Sequence, residues 1–355
     1  MAKMAKMAKE KSPSSTASAL PTPPDQGEPP TYLLWSDGSE DESELNLVPL
    51  ATCFNVQAPP NLLVEIAKPG PGLVQRKPDR NYYFDRVLLK KLLNWVYGNS
   101  ARRNLLLMGD AGVGKSSLIV EIATRLNIPL YQLACSGKTR FQHLVGSREL
   151  VAGETRWVDG PLTRAMREGG ILLMDEVTRM DAGEQMNLAS VLDGRSSLTI
   201  PDTGEVVIPH ARFRVAATGN SGGFGDNSGA YIGEKSSSFA FLDRFQKIVL
   251  TPLPEEEEKK LLRLTVEKTD EPLSDDILSL MMRLTKEIRN NFVGAGGGLS
   301  ITLSPRSLQV WAMEAVSYKK LGINEPILEA LRDTVLNGAP ADNVKTIEEL
   351  YRKWI

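Results

Sequence analysis

Residues Gly109 to Ser116 read Gly-Asp-Ala-Gly-Val-Gly-Lys-Ser, with the apolar run Asn104-Leu-Leu-Leu-Met108 before them and a helical pattern from Lys115 to about Leu126 after them. This segment constrains the fold more tightly than any other. It fits G-x-x-x-x-G-K-[ST] in full, and in the strand–loop–helix setting that the pattern requires. Glycines let the backbone curl with its N–H groups turned inward as an anion nest. The helix N-terminus adds its positive end. The expected phosphate-binding set is therefore Gly109, Asp110, Ala111, Gly112, Val113, Gly114, Lys115, Ser116 and Ser117. In such a loop Lys115 reaches the β- and γ-phosphates and Ser116 holds Mg2+. A second Gly-Lys-Thr, at Gly137 to Thr139, fails the pattern because Gln132 stands where the leading glycine belongs.

Two further strand ends carry chemistry. Ile171-Leu-Leu-Met-Asp-Glu176 places two carboxylates at the end of an apolar strand, with Asp175 lying 60 residues after Lys115. Charges at that position are costly unless they meet a cation. Asp175 is expected in the Mg2+ shell, and Glu176 is expected to polarise the attacking water. Ala217-Thr-Gly-Asn220 ends another strand. Asn220 there either orients the water beside the γ-phosphate or forms the turn after glycine. Two arginines complete the set: Arg244 in Phe241-Leu-Asp-Arg-Phe-Gln246, and Arg306 after Leu303-Ser-Pro305. Ser304 and Pro305 read as N-cap and first helical residue. Either arginine can stabilise transition-state charge or sit in a surface ion pair.

From Tyr82 to Leu250 short apolar runs alternate with helical patterns, the mark of an α/β fold. The runs are continuous rather than alternating, as in a parallel sheet covered on both faces. Leu150 to Val158 reads as a hairpin turning at Gly153-Glu154, and Leu198 to Ile208 as another with its tip at Asp202 to Glu205. Arg156 and Trp157 are candidates for gripping a client, although Trp157 can equally pack across its own hairpin. After Pro254 only helices follow: Glu255 to Lys268, Ser274 to Asn290, Pro305 to Lys320, Pro326 to Leu336 and Ile347 to Trp354.

The start of the chain reads differently. Residues 1–44 hold four lysines against eight carboxylates, net -4, which leaves +2 for the rest of a chain of net charge -2. Such composition is expected to stay unfolded. Tyr32-Leu-Leu-Trp35 within it is a docking element or a chance cluster. Residues 45–80, rich in Pro and Gly, are expected to form a linker with one weak element at Leu62 to Ile66. The expected organisation is thus tail 1–44, linker 45–80, α/β nucleotide-binding domain 81–253 and helical lid 254–355.

Near-neutral charge argues against a general polyanion binder, so nucleic acid is not indicated. Two cysteines, Cys53 and Cys135, make no disulfide framework, and two histidines leave no His/Cys zinc site. No apolar run approaches the length of a membrane span, and no secretory or transit signal is recognisable. The expected setting is cytoplasmic, or the host cytoplasm for a phage-encoded chain.

Taken in order, the phosphate loop, the Asp-Glu strand, the strand-end Asn, Leu-Asp-Arg-Phe and Ser-Pro-Arg resemble the AAA+ ATPases. Within them the chain is similar to the MoxR branch, and most similar to CobS, the ATPase subunit of cobaltochelatase, and its stand-alone bacterial and phage relatives. Tyr82-Tyr-Phe-Asp85, Leu144-Val-Gly146 with Val158-Asp-Gly-Pro-Leu162, Leu198 to Val206, and above all Gly223-Phe-Gly-Asp-Asn-Ser-Gly-Ala-Tyr-Ile-Gly233 carry this resemblance, which covers about Tyr82 to Lys320. Leu242-Asp-Arg-Phe245 follows the general MoxR form rather than that of CobS.

The resemblance implies a P-loop AAA+ module with inserted β-hairpins and a helical lid. It implies ATP and Mg2+, and a ring, usually a hexamer, with ATP between neighbours. Arg244 would then reach the next subunit's γ-phosphate, and Arg306 would sense it from the lid of the same subunit. It also implies chaperone-like remodelling of a partner, such as a von Willebrand factor A-domain protein or a chelatase-like complex. The alternatives are a nucleotide-gated scaffold with little turnover, which intact Glu176 disfavours, and a nucleic-acid motor or loader. A small GTPase would need N-K-x-D, which the sequence lacks.

Overall fold

The computed structural model describes residues 31–35, 46–68, 77–98, 104–193, 197–220, 237–267, 269, 272–292 and 297–354. Its N-terminal part departs from the expected tail and linker. β1 (Thr31–Leu33), β2 (Leu47–Pro49), α1 (Leu50–Phe54) and β3 (Leu62–Glu65) build a three-stranded sheet ordered β1-β3-β2. β1 runs parallel to β3, and β2 antiparallel to it. Tyr32 to Trp35 is thus docked, Tyr32 and Leu33 within β1 and Trp35 just after it: Trp35 is 5% exposed, and its ring lies 4.9 Å from that of Tyr97. Glu65 accepts from the Trp35 N–H at 3.0 Å and pairs with Arg212 at 3.1 Å, while the Arg212 guanidinium covers the Trp35 ring at 4.6 Å. Composition hid this module because its apolar residues come in twos and threes between prolines. They are buried by tertiary packing on α2 (Arg86–Tyr97), which Asp85 caps by accepting from the Leu88 N–H at 2.8 Å.

The α/β part follows with β4 (Asn104–Met108), α3 (Lys115–Arg125), β5 (Leu130–Ala134), α4 (Phe141–Val145), β6 (Gly146–Val151), β7 (Glu154–Asp159), α5 (Pro161–Glu168) and β8 (Ile171–Asp175). It continues through α6 (Ala182–Asn187), α7 (Ala189–Leu192), β9 (Leu198–Thr199), β10 (Val206–Val207), β11 (Arg214–Gly219), α8 (Phe239–Leu242) and β12 (Gln246–Val249). Five strands form one parallel sheet in the order β12-β4-β11-β8-β5. Alternate residues feed opposite faces. Leu105, Leu107, Leu173 and Ala216 join the core under α2, α3 and the N-terminal sheet; Leu106, Leu172, Met174 and Ala217 join the core under α5, α7 and α8. The continuous apolar strands are explained by that double covering.

Both expected hairpins form, the first with a shifted turn. β6 and β7 pair antiparallel from Gly146↔Asp159 to Val151↔Glu154, so Ala152 and Gly153 make the turn, with φ of +53° and +85°. Two positive φ values match the strand twist and need glycine at the second position, which places the turn one residue earlier than expected. Trp157 belongs to its own hairpin: its indole N–H donates to Asp159 at 2.7 Å and its ring closes over Gly146. Arg156 is exposed and pairs with Glu154 at 2.6 Å. β9 and β10 form the second hairpin, tied to the first through Arg167, which reaches Asp159 at 2.8 Å and Glu205 at 2.7 Å.

The lid comprises α9 (Glu255–Val266), α10 (Asp275–Asn290), α11 (Pro305–Lys320), α12 (Pro326–Leu331), a π-helical turn Arg332–Leu336 and α13 (Ala341–Trp354). α13 begins six residues before the expected Ile347, because its first turn is polar and only Ile347 and Tyr351 are buried. Trp311, Leu308, Leu328 and Met281 fill a core separate from the sheet's. Glu258 is buried and meets Arg289 in a fork at 2.7 and 2.8 Å.

Candidate functional site

Parallel strands deliver the ends of β4, β8 and β11 to one edge: Ala217 stands beside both Leu106 and Met174. Ligands of open α/β sheets bind outside such carboxyl ends. The loop from Gly109 to Gly114 leaves β4 here and enters α3. Gly109, Gly112 and Gly114 have φ of +142°, +78° and +93°, the region that glycine alone enters without strain. Two of them also meet close neighbours. A Cβ on Gly109 would lie 2.3 Å from the Leu250 carbonyl oxygen, and one on Gly112 would lie 2.5 Å from Ser304 Cβ at the lid. Lys115 is 7% exposed, and its ammonium donates to the carbonyls of Gly109 at 2.7 Å and Asp110 at 2.8 Å and to Asn220 Oδ1 at 2.8 Å.

Asp175 gathers three donors. Ser116 Oγ and Thr218 Oγ1, the latter at 3.2 Å, donate to Oδ1, and Gln132 Nε2 donates to Oδ2 at 2.7 Å. Glu176 follows with φ of +56°; its N–H donates to Thr218 Oγ1 at 2.9 Å, and its carboxylate pairs with Arg179 at 2.9 Å. Burial, reinforced by the charges of Asp175 and Glu176, pushes the Cys135 thiol up to about 12. A thiol so held stays protonated and is no nucleophile.

A cavity of about 670 Å3 opens between this edge and the lid. Gly112, Val113, Gly114, Ser116 and Ser117 form its floor, and Arg306 and Gln309 reach in from α11. Ser304 caps α11 by accepting from the Ser307 N–H at 3.1 Å, so Arg306 sits in the first turn as the sequence suggested. Asp79, Asn81, Tyr82 and Tyr83 form a wall with Leu261 and Leu264. That wall is braced by α3: Glu121 accepts from the Asp79 N–H at 3.1 Å, and Arg125 donates to the Asp79 carbonyl at 2.6 Å. Tyr83 lines the cavity, whereas Phe84 is buried against Phe54. Burial, helped by the carboxylates Glu257 and Asp85, raises the Tyr83 phenol above its ordinary value.

The residues fit a magnesium–nucleoside triphosphate. The nest and Lys115 suit a polyphosphate. Ser116 and Asp175 are hard oxygen donors, few in number, as suits a cation completed by phosphate oxygens and water. Among the described residues no group of three or more His, Cys, Asp and Glu forms a self-contained metal cage.

Lys115, Ser116, Asp175, Glu176 and Asn220 therefore come together, with Arg306 across the cavity. Arg244 stands apart. Its guanidinium meets Asp193 at 2.5 Å and the Ala240 carbonyl at 2.5 Å. Gly223 to Gly233 lies outside the described residues. Sequence reasoning missed Thr218, Gln132, Asp79 and Asn81. Thr218 lies inside the Ala217–Asn220 motif, and Gln132 is the one amide in an otherwise apolar strand. Asp79 and Asn81 carried no local signal.

Residues 104–245 match the AAA domain of the dynein-related subfamily. The chain is 28% identical over 280 residues to the aerobic cobaltochelatase subunit CobS of Sinorhizobium sp, covering 78% of this chain and 81% of that one. It is 40% identical over 118 residues to NorQ of Paracoccus denitrificans, covering 33% of this chain and 44% of that one. An uncharacterised protein of Staphylococcus haemolyticus is 30% identical over 192 residues, covering 53% of this chain and 68% of that one. This chain belongs to the AAA+ ATPases of MoxR type, related to CobS, with the α/β P-loop module and helical lid of that class.

Proposed function

We propose that this chain binds ATP with Mg2+ between the Gly109–Ser117 loop and the lid, hydrolyses it to ADP and phosphate, and uses the energy as a ring, a hexamer by family habit, to remodel or activate a partner. The observation that carries the reading is the hydrogen-bonded set Lys115–Asn220 and Ser116–Asp175 at the shared end of three parallel strands. Lys115 exchanges its carbonyl and Asn220 contacts for β- and γ-phosphate oxygens. Mg2+ held by Ser116 Oγ and the Asp175 carboxylate supplies charge neutralisation on those phosphates. Glu176 takes the proton of the attacking water, and Asn220 orients that water. Arg306 compensates γ-phosphate charge from the same subunit's lid. Arg244, held here by Asp193 and the Ala240 carbonyl, serves the neighbour's cavity.

The partner is a von Willebrand factor A-domain protein or a chelatase-like complex, a reading supported by the similarity to a cobaltochelatase subunit. A cytoplasmic setting, in a bacterium or a phage-infected host, suits two free thiols. No helix among the described residues is long and apolar enough to cross a membrane.

The test is steady-state ATP hydrolysis. Lys115→Ala is expected to lose ATP binding. Glu176→Gln is expected to bind ATP and to lose roughly 10²-fold or more in rate. Pull-down on the arrested Glu176→Gln ring then identifies the client. A wild-type chain that binds ATP and leaves it intact would instead make it a nucleotide-gated scaffold.

A further inference from the structure

Glu176 is in a backbone conformation that its side chain does not favour. Its φ of +56° lies in the left-handed region, which L-residues other than Gly, Asn and Asp seldom enter. Such a conformation persists where its surroundings over-determine it. Among the described residues, Arg179 pairs with the Glu176 carboxylate at 2.9 Å and donates its N–H to the Glu176 carbonyl at 2.9 Å, and one side chain takes the Glu176 N–H. The Glu176 N–H donates to Thr218 Oγ1 at 2.9 Å, and the same hydroxyl spends its single proton on Asp175 Oδ1 at 3.2 Å. Thr218 is 1% exposed. It stands on β11 two residues before Asn220, whose amide oxygen accepts from Lys115.

We propose that Thr218 is a positioning residue for hydrolysis: its hydroxyl pins the strained Glu176 peptide to the Asp175 carboxylate and so aims the Glu176 side chain. It touches neither nucleotide nor water. The donor count argues for this role over simple packing. Among the described residues, Thr218 is one of two hydroxyls on Asp175 Oδ1, and the other, Ser116, is the one that Mg2+ claims when bound. Once Ser116 is so engaged, Thr218 and Gln132 remain to fix the carboxylate, and Thr218 alone of these also holds Glu176. Valine keeps the shape of threonine but leaves a part-buried N–H without an acceptor. Serine keeps the hydroxyl and drops the methyl. The inference rests on Glu176 being the base.

Thr218→Val and Thr218→Ser are compared in the full chain beside wild type and Glu176→Gln. Three quantities are read: the kcat against KM split, ATP affinity, and amide exchange of the peptide spanning Asp175 to Arg179. Thr218→Val is expected to lower kcat about 10²-fold, as for a group misplaced by about 1 Å. Its ATP affinity is expected to stay within about twofold of wild type, and Thr218→Ser within about threefold in kcat. Exchange at Glu176 quickens in the valine variant and not in the serine variant. Thr218→Ala takes the place of Thr218→Val should the latter not fold.

The proposal is overturned by a valine variant with wild-type kcat, by a serine variant as slow as valine, or by ATP affinity falling in step with kcat. A wild type that does not hydrolyse ATP, or a Glu176→Gln that does so at the normal rate, overturns the reading of Glu176 instead. Exchange then still decides whether Thr218 pins that peptide.

Discussion

At the scale of single residues, Gly112 joins two demands that are usually separate. Its φ of +78° excludes a side chain on conformational grounds, and the lid's Ser304 occupies the space a Cβ would take. The loop and the lid's N-cap thus touch at one hydrogen atom. Gly112→Ala is expected to strain the loop by roughly 1–2 kcal/mol and to push Ser304 out of its capping position. ATP affinity should fall about tenfold or more, since 1.4 kcal/mol is a factor of ten. Adding Ser304→Gly removes the clash and costs the cap only a few tenths of a kcal/mol, so part of the affinity should return while the φ strain remains. Titration with ATP reads both variants; equal affinity in Gly112→Ala and wild type would break the link between loop and lid. The glycines themselves were legible in the sequence, because phosphate-loop chemistry dictates their spacing. Thr218 was not: a threonine in a β-strand is ordinary, and only the register that sets it beside the Asp175–Glu176 turn gives it meaning.

At the scale of elements, the N-terminal sheet is where sequence reasoning met its limit. The parallel strands and the lid helices announce themselves through runs of four or five apolar residues or through helical spacing. β1, β2 and β3 offer three or four residues each, too few for a period to emerge. Their stability comes from α2, α3 and the Glu65–Arg212–Trp35 group. Cys53 reports on this docking. Burial pushes its thiol up to about 12, with Arg125 pulling weakly the other way, and its Sγ–H donates to the Arg125 carbonyl at 3.5 Å. A free thiol titrates near 8.5, so at pH 8 Cys53 should alkylate at least about a hundredfold more slowly than free cysteine. Its rate should rise with pH toward 12 and jump when the chain unfolds. Alkylation followed by mass spectrometry measures this; rapid native labelling at pH 8 would mean that the module opens freely. The hairpin turn shows the same limit on a smaller scale: the sequence located the β6–β7 hairpin, but only strand pairing fixed its turn at Ala152-Gly153.

At the scale of the whole molecule, the proposed function requires that one chain hold an incomplete site. The loop and Arg306 line one cavity, Asn220 and Asp175 are hydrogen-bonded to the loop's Lys115 and Ser116, and Arg244 is held by Asp193 and the Ala240 carbonyl. The residues alone left both arginines open between transition-state charge and a surface ion pair; the family resemblance assigned Arg306 to the chain's own nucleotide and Arg244 to the neighbour's, and that assignment is part of the proposed function. The measurement that bears most directly on the claim is ATP hydrolysis per subunit against protein concentration, with native mass followed in parallel, for wild type and Arg244→Ala. The expected result is a rate that climbs steeply as the mass rises to that of a ring, and an Arg244→Ala chain that assembles and binds ATP yet barely turns it over. A monomer that hydrolyses ATP at the full rate, unchanged by Arg244→Ala, would contradict it.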